Sequence, residues 1–64
     1  MVTDTITNNG TFDGKGSITI GGGENTGTIT QNNITINGNF ANNGDMTANN
    51  SFSNSADITG GGNL

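Results

Sequence analysis

Apolar side chains recur every six residues along most of this 64-residue chain. Read backwards from the carboxyl end, they fall on Leu64, Ile58, Phe52, Met46, Phe40 and Ile34, and the amino-terminal part repeats the spacing at Ile6, Phe12 and Ile18. An amphipathic helix would need apolar residues three and four positions apart, and each glycine inside a helix would cost roughly 1 kcal/mol. The spacing therefore predicts an all-β chain.

Each six-residue unit has the composition of a short strand followed by a tight corner. Small polar residues flank the apolar position, as in Thr5-Ile6-Thr7, and the alternation of side chains along a strand points them outward. Threonine is also a good strand former. A small residue two places before the apolar one shares the inward side. The corners hold pairs such as Asn8-Asn9 and Gly60-Gly61, which tolerate a left-handed backbone.

Three such units would close one triangular coil, but the interval from Ile18 to Ile34 is two residues short of this spacing. We predict one domain, residues 1–64, with a glycine-rich irregularity at residues 21–27, where a loop or bulge turns Glu24 to solvent. If Ile29 belongs to one unit of this stretch, stacked coils acquire three apolar ladders. Their members are Ile6, Phe40 and Ile58; Phe12, Ile29, Met46 and Leu64; and Ile18, Ile34 and Phe52.

This spacing resembles the hexapeptide class of parallel β-helices, in which an aliphatic residue and a small residue recur every six positions. The resemblance covers roughly residues 5–20 and 33–64 and lies in the pattern alone. It implies a small three-sided β-solenoid of about three to four coils. The ladders depart from the aliphatic preference at Phe12, Phe40, Met46 and Phe52. In outline the chain also looks like bactofilins, nucleotide-free bacterial cytoskeletal polymers that are triangular solenoids.

Composition alone is typical of a disordered chain, because asparagine, glycine and threonine are the commonest residues. The regular spacing argues against disorder. Lys15 is the single cation beside five acids, which argues against a nucleic-acid surface because phosphate contacts need clustered basic residues. No apolar run approaches a membrane span, and residues 1–4 do not begin a signal peptide. A cytoplasmic filament and an extracellular fibre are equally compatible with the sequence.

The sequence predicts no catalytic, cofactor-binding or metal-binding residue. It contains no histidine or cysteine, and its five acids form no close pair that could act in acid/base chemistry. The glycine runs at residues 21–23 and 60–62 lack the lysine and the following helix of a phosphate-binding loop. In residues 13–17, Lys15 stands where a calcium loop needs an oxygen ligand. We therefore expect a protein that is not an enzyme.

The thin core makes the ends of the predicted solenoid important. No helical or charged cap is visible, and the spacing continues to Leu64. Because exposed strand edges pair with further strands, we expect a structural subunit that stacks on itself into a filament or fibre, through ends formed by Val2, Ile6, Ile58 and Leu64.

Three alternatives remain open on the sequence. The first is a trimeric shaft segment of a phage fibre or surface adhesin. The second is an ice-binding solenoid, for which the outward pairs would be Ser17/Thr19, Asn33/Thr35 and Ser51/Ser53. The third is a functional amyloid with flat, in-register sheets.

Overall fold

The computed structural model describes residues 1–63, which form nine β-strands and no helix. The strands are Val2–Thr3 (β1), Ile6–Asn8 (β2), Thr11–Asp13 (β3), Ser17–Ile20 (β4), Gly23–Asn25 (β5), Thr28–Ile36 (β6), Phe40–Asn42 (β7), Asp45–Asn54 (β8) and Ile58–Thr59 (β9). Every pair of neighbouring strands is parallel.

The strands of successive coils stack in three columns, which we call faces. Face 1 consists of β2, β5, β7 and β9 in that order. Face 2 contains β3 and the first halves of β6 and β8, and face 3 contains β1, β4 and the second halves of β6 and β8. The two long strands turn the corner between faces 2 and 3, where their register shifts between Gln31 and Asn33.

The predicted three-sided β-solenoid is therefore confirmed. Val2 pairs with Thr19, Thr19 with Thr35, and Thr35 with Ser53, so three full turns separate Val2 from Ser53.

The coils do not have the uniform length that the six-residue spacing predicts. Asn8 and its register partner Asn25 are 17 positions apart, whereas Ser17 and Asn33 are 16 apart. The separation reaches 18 only in the last turn, as between Asn33 and Ser51. The differences fall at corners: residues 14–16 join faces 2 and 3 in the first coil, and residues 31–32 do so in the second. A corner absorbs an extra residue without moving a paired strand.

The glycine-rich stretch does not form the predicted loop. Gly23–Asn25 is a strand with parallel partners on both sides, and Gly23 occupies the position that Ile6 and Phe40 hold in the neighbouring coils. Its φ is +121°, and a Cβ atom there would lie 2.0 Å from the carbonyl oxygen of Ile6. Only glycine fits this position. Glu24 is exposed, as expected.

The core is a small cluster of apolar side chains stacked inside the middle coils. Seven of them are at most 1% exposed: Ile18, Ile20, Ile29, Ile34, Ile36, Phe40 and Met46. Ile20 and Ile36 lie outside the six-residue spacing. They share the inward side with Ile18 and Ile34 because residues two apart on a strand point the same way.

Candidate assembly surfaces and the asparagine ladder

The strand register brings the predicted ladder residues together, one ladder on each face. Face 1 stacks Ile6, Gly23, Phe40 and Ile58; face 2 stacks Phe12, Ile29 and Met46; and face 3 stacks Ile18, Ile34 and Phe52. Leu64, predicted to extend the face 2 ladder, lies outside the described residues.

Burial of these ladders falls sharply from the middle coils to the outer ones. Ile34 is 1% exposed, whereas Phe52, its partner in the last turn, is 38% exposed. Ile6, Phe12 and Ile58 in the outer coils are only half-buried. Each ladder therefore reaches an outer coil with apolar surface that the described chain does not cover.

The predicted end residues divide into two groups. Ile6 and Ile58 lie inward on β2 and β9, the two outermost strands of face 1. Val2 does not belong with them: it pairs with Thr19 in an outward column and is 81% exposed. The inward position falls one residue earlier, on Met1, which is 59% exposed and accepts a hydrogen bond from the Thr19 amide at 2.8 Å.

The outermost strands of the described chain present unpaired edges. On face 1, β2 pairs only with β5 and β9 only with β7. On the other faces, β1, β3 and β8 each pair with a single neighbouring strand, and the start of β8 is also bridged by Asn63 through Asp45. Such edges expose backbone donors and acceptors in the geometry of a parallel sheet.

A ladder of buried asparagines runs along the corner between faces 1 and 2. The Nδ2 of Asn8 donates to the Oδ1 of Asn25 at 2.8 Å, and the Nδ2 of Asn25 donates to the Oδ1 of Asn42 at 3.0 Å. Asn42 in turn donates to the Asn63 carbonyl at 2.8 Å. Asn25 is 0% exposed and Asn42 is 2% exposed. Because a buried amide without partners is costly, this hydrogen-bonded chain fixes the register of the corner.

The same amides also hold the turn within each coil. Within its own coil, the Nδ2 of Asn25 donates to the Gly27 carbonyl at 3.2 Å and its Oδ1 accepts from the Gly27 amide at 3.2 Å. The same Nδ2 also donates to the Asp45 carbonyl of the following coil at 3.1 Å. Asn8 makes the equivalent bond to the Gly10 carbonyl at 3.1 Å. These asparagines therefore have extended backbones with inward side chains, and the left-handed backbone predicted for the asparagine corners is wrong: among residues 1–63 only glycines have positive φ. At the predicted Gly60-Gly61 corner, Gly60 does have a positive φ, of +104°.

A glycine ladder lies beside the asparagine ladder and lets the coils approach. A Cβ atom on Gly27 would lie 2.0 Å from the carbonyl oxygen of Gly10, and one on Gly44 would lie 2.0 Å from that of Gly27. On Gly62 it would lie 2.1 Å from the Gly44 oxygen. A Cβ atom added to Gly10, in the first coil, would have no atom within 4 Å. Glycine is required at Gly27, Gly44 and Gly62 because the backbone of the preceding coil fills the space that a side chain would need, and not because these positions line the core.

Face 3 carries the outward columns on which the ice-binding alternative depends. One column stacks Ser17, Asn33 and Ser51, and the other stacks Thr19, Thr35 and Ser53. The first column is bonded to itself: Asn33 donates to the Ser17 hydroxyl at 3.1 Å and accepts from the Ser51 hydroxyl at 2.8 Å. Its polar groups are thus partly occupied within the protein.

The charged residues do not converge on a site. Lys15 and the five acids are all exposed, at separate positions along the solenoid: Asp4, Asp13, Glu24, Asp45 and Asp57. Over residues 1–63 the structure contains no surface pocket and no group of three side chains suited to hold a metal ion. Nor do these residues include a helix that could cross a membrane.

No protein family model, curated protein or solved structure matches the chain. The expected hexapeptide or bactofilin type is therefore not confirmed, and the structure shows the coarser feature, a β-solenoid of about three turns.

Proposed function

We propose that this protein is a structural subunit whose copies stack end to end, head to tail, by continued parallel β-pairing into a filament. The observation that supports the proposal is the chemical match between the two ends of the inward columns on faces 1 and 3. An exposed strand edge is a template for another strand. On face 1 the edge strands β2 and β9 belong to one continuous parallel sheet. A second copy would therefore meet each edge in the arrangement already used within the solenoid.

On face 1 this stacking would set β9 of one copy against β2 of the next, with Ile58 beside Ile6. Both side chains are half-buried in the single chain. On face 3 it would bring the 38% exposed Phe52 against the 59% exposed Met1. Removing apolar surface from water contributes about 25 cal/mol per Å². These contacts favour association and bury the apolar surface that the outer coils leave open.

The polar ends match in the same arrangement. Ile20 and Ile36 form a second inward column on face 3, which begins with Thr3 and ends with Asn54. Stacking would place Asn54 beside Thr3, a polar side chain beside a polar one. The junction thus need not bury a polar group against an apolar one, a contact that would cost free energy.

The glycine ladder makes one position in the proposed junction testable. Gly10 has open space on the side where Gly27 and Gly44 each meet a carbonyl oxygen of the preceding coil. In the stacked arrangement, Gly62 of a second copy would supply that oxygen. A side chain at position 10 would then be harmless in a single chain and obstructive in a filament.

The experiment compares Gly10→Ala with wild type by sedimentation velocity and negative-stain electron microscopy. We expect Gly10→Ala to keep the wild-type circular dichroism spectrum and thermal midpoint but to lose the filaments. Gly61→Ala is the matched control, because the added Cβ would have no atom within 4 Å. The register of β7 and β9 places Gly61 beside Asn43, so a side chain is already accommodated at this position in the preceding coil. The proposal is wrong if Gly10→Ala assembles as wild type does.

The two other assemblies predict different results in the same measurements. A trimeric shaft gives one discrete sedimenting species at all concentrations, whereas end-to-end stacking gives an open series that grows with concentration. An ice-binding solenoid is supported by the in-register hydroxyl column Thr19, Thr35 and Ser53. It predicts thermal hysteresis that is lost in Thr35→Lys, while a filament subunit shows no hysteresis.

A further inference from the structure

The dipeptide Asn-Gly occurs three times in this chain, at Asn9-Gly10, Asn37-Gly38 and Asn43-Gly44, and all three asparagines are exposed. An asparagine followed by glycine can react with its own backbone, because glycine has no Cβ to obstruct the attacking nitrogen. The three copies lie in different surroundings. They therefore form an internal comparison of one reaction.

We propose that Asn9 is a site of self-catalysed deamidation, with the hydroxyl of Thr26 as the catalytic donor. In this reaction the backbone nitrogen of Gly10 loses its proton to water or hydroxide and attacks Cγ of Asn9. The bond from Cγ to Nδ2 then breaks, and the side-chain nitrogen leaves as ammonia with a proton from solvent. Water opens the resulting five-membered succinimide to aspartate or isoaspartate.

The nucleophile is freest at Asn9. The Gly10 nitrogen donates no hydrogen bond within the described chain, and a Cβ atom added to Gly10 would have no atom within 4 Å. The Gly44 nitrogen is instead held by the Asn25 carbonyl at 3.1 Å. Gly44 also packs against the Gly27 carbonyl oxygen, so its backbone has little room to rotate toward the Asn43 side chain.

Asn37 lies between these two cases. The Gly38 nitrogen also donates no hydrogen bond within residues 1–63. Gly38, however, packs tightly on the carbonyl oxygen of Gly21, which restricts the backbone rotation that ring closure requires. We therefore expect the rates in the folded protein to fall in the order Asn9, Asn37, Asn43.

The electrophile is also activated at Asn9. The Thr26 hydroxyl lies 2.5 Å from Oδ1 of Asn9 and donates to it. This oxygen carries the negative charge of the tetrahedral intermediate, so a fixed donor stabilises that state more than the starting amide. The donors at the other two sites are more distant: the Ser55 hydroxyl lies 3.3 Å from Oδ1 of Asn37, and the Gly61 amide lies 3.3 Å from Oδ1 of Asn43. A short hydrogen bond to Oδ1 therefore coincides with an unobstructed glycine nitrogen only at Asn9.

The test incubates dilute folded protein at neutral and mildly alkaline pH and follows each asparagine by mass spectrometry. Lys15 is the only tryptic cleavage site, so trypsin separates Asn9 from Asn37 and Asn43 in one cut. Denatured protein is the reference in which all three dipeptides should react at similar rates. We expect folding to slow Asn43 and Asn37 strongly and to leave Asn9 the fastest.

Thr26→Val tests the donor. It should slow Asn9 roughly fivefold, the effect of one ordinary hydrogen bond, and leave the rate at Asn37 unchanged. Thr26→Ser keeps the hydroxyl and should restore the Asn9 rate. Circular dichroism confirms that each variant is folded. Equal rates at Asn9 and Asn43 in folded protein, or an undiminished Asn9 rate in Thr26→Val, would overturn the proposal.

Discussion

The first and second coils turn the same corner with nearly the same residues, Asn8-Asn9-Gly10 and Asn25-Thr26-Gly27, yet the two corners differ in environment. Gly27 has no space for a Cβ atom, whereas Gly10 has no neighbour within 4 Å. Asn25 bonds to an asparagine above and another below, whereas Asn8 bonds to one. The Asn-x-Gly corner therefore makes all of its contacts only in a coil with a neighbour on each side, and in the first coil one side of this corner is uncovered.

The largest expected effect of this difference is at the glycines. Gly27→Ala places a methyl group about 2.0 Å from a backbone oxygen that no rotamer change can move away. We expect it to lower the free energy of unfolding by about 4 kcal/mol, which is most of the stability of a domain this small. Gly10→Ala should leave the stability of the single chain unchanged. Urea titrations of both variants at low concentration measure the contrast, and equal losses would contradict it.

The apolar ladders should show the next largest contrast. Ile34→Ala removes a side chain that is 1% exposed and should cost about 3 kcal/mol. Phe52→Ala removes its partner in the last turn, which is 38% exposed, and should cost about 1 kcal/mol in the dilute chain. If copies stack, the cost of Phe52→Ala should rise with protein concentration. A concentration series of thermal midpoints tests this, and a cost that stays constant would count against burial between copies.

The smallest contrast is expected along the asparagine ladder. Asn25→Ala removes the side-chain hydrogen bonds to Asn8 and Asn42 and leaves the buried Oδ1 of Asn42 without its donor. We expect a loss of about 2 kcal/mol. Asn8→Ala removes one end of the ladder and should cost about 1 kcal/mol. Thermal unfolding of the two variants measures the difference. A larger loss for Asn8→Ala would show that the ladder does not depend on having two neighbours.

The sequence predicts the ladders because one large side chain per face recurs at an almost constant interval, so Ile18, Ile34 and Phe52 align despite the shortened coil. It does not reveal Ile20 and Ile36, since they lie between two positions of the six-residue spacing. The alternation of isoleucine and threonine at residues 18–20 and 34–36 is the signal that would have found them.

The burial of the asparagine ladder escapes prediction for a different reason. Asparagine at a corner is usually explained by its tolerance of a left-handed backbone, and its alternative use as a buried amide depends on what the next coil supplies. The recurrence of Asn-x-Gly at residues 8–10, 25–27 and 42–44, once in each coil and at a constant interval, is the available signal. This recurrence is visible only when the sequence is compared at the length of a whole coil, and not at the six-residue spacing of a single side.

Whether stacking continues from one copy of the chain to the next can be measured by negative-stain electron microscopy of a dilution series. We expect unbranched filaments one solenoid wide that shorten on dilution, with circular dichroism unchanged. Compact single particles at every concentration, or a discrete trimer that dilution does not alter, would contradict it.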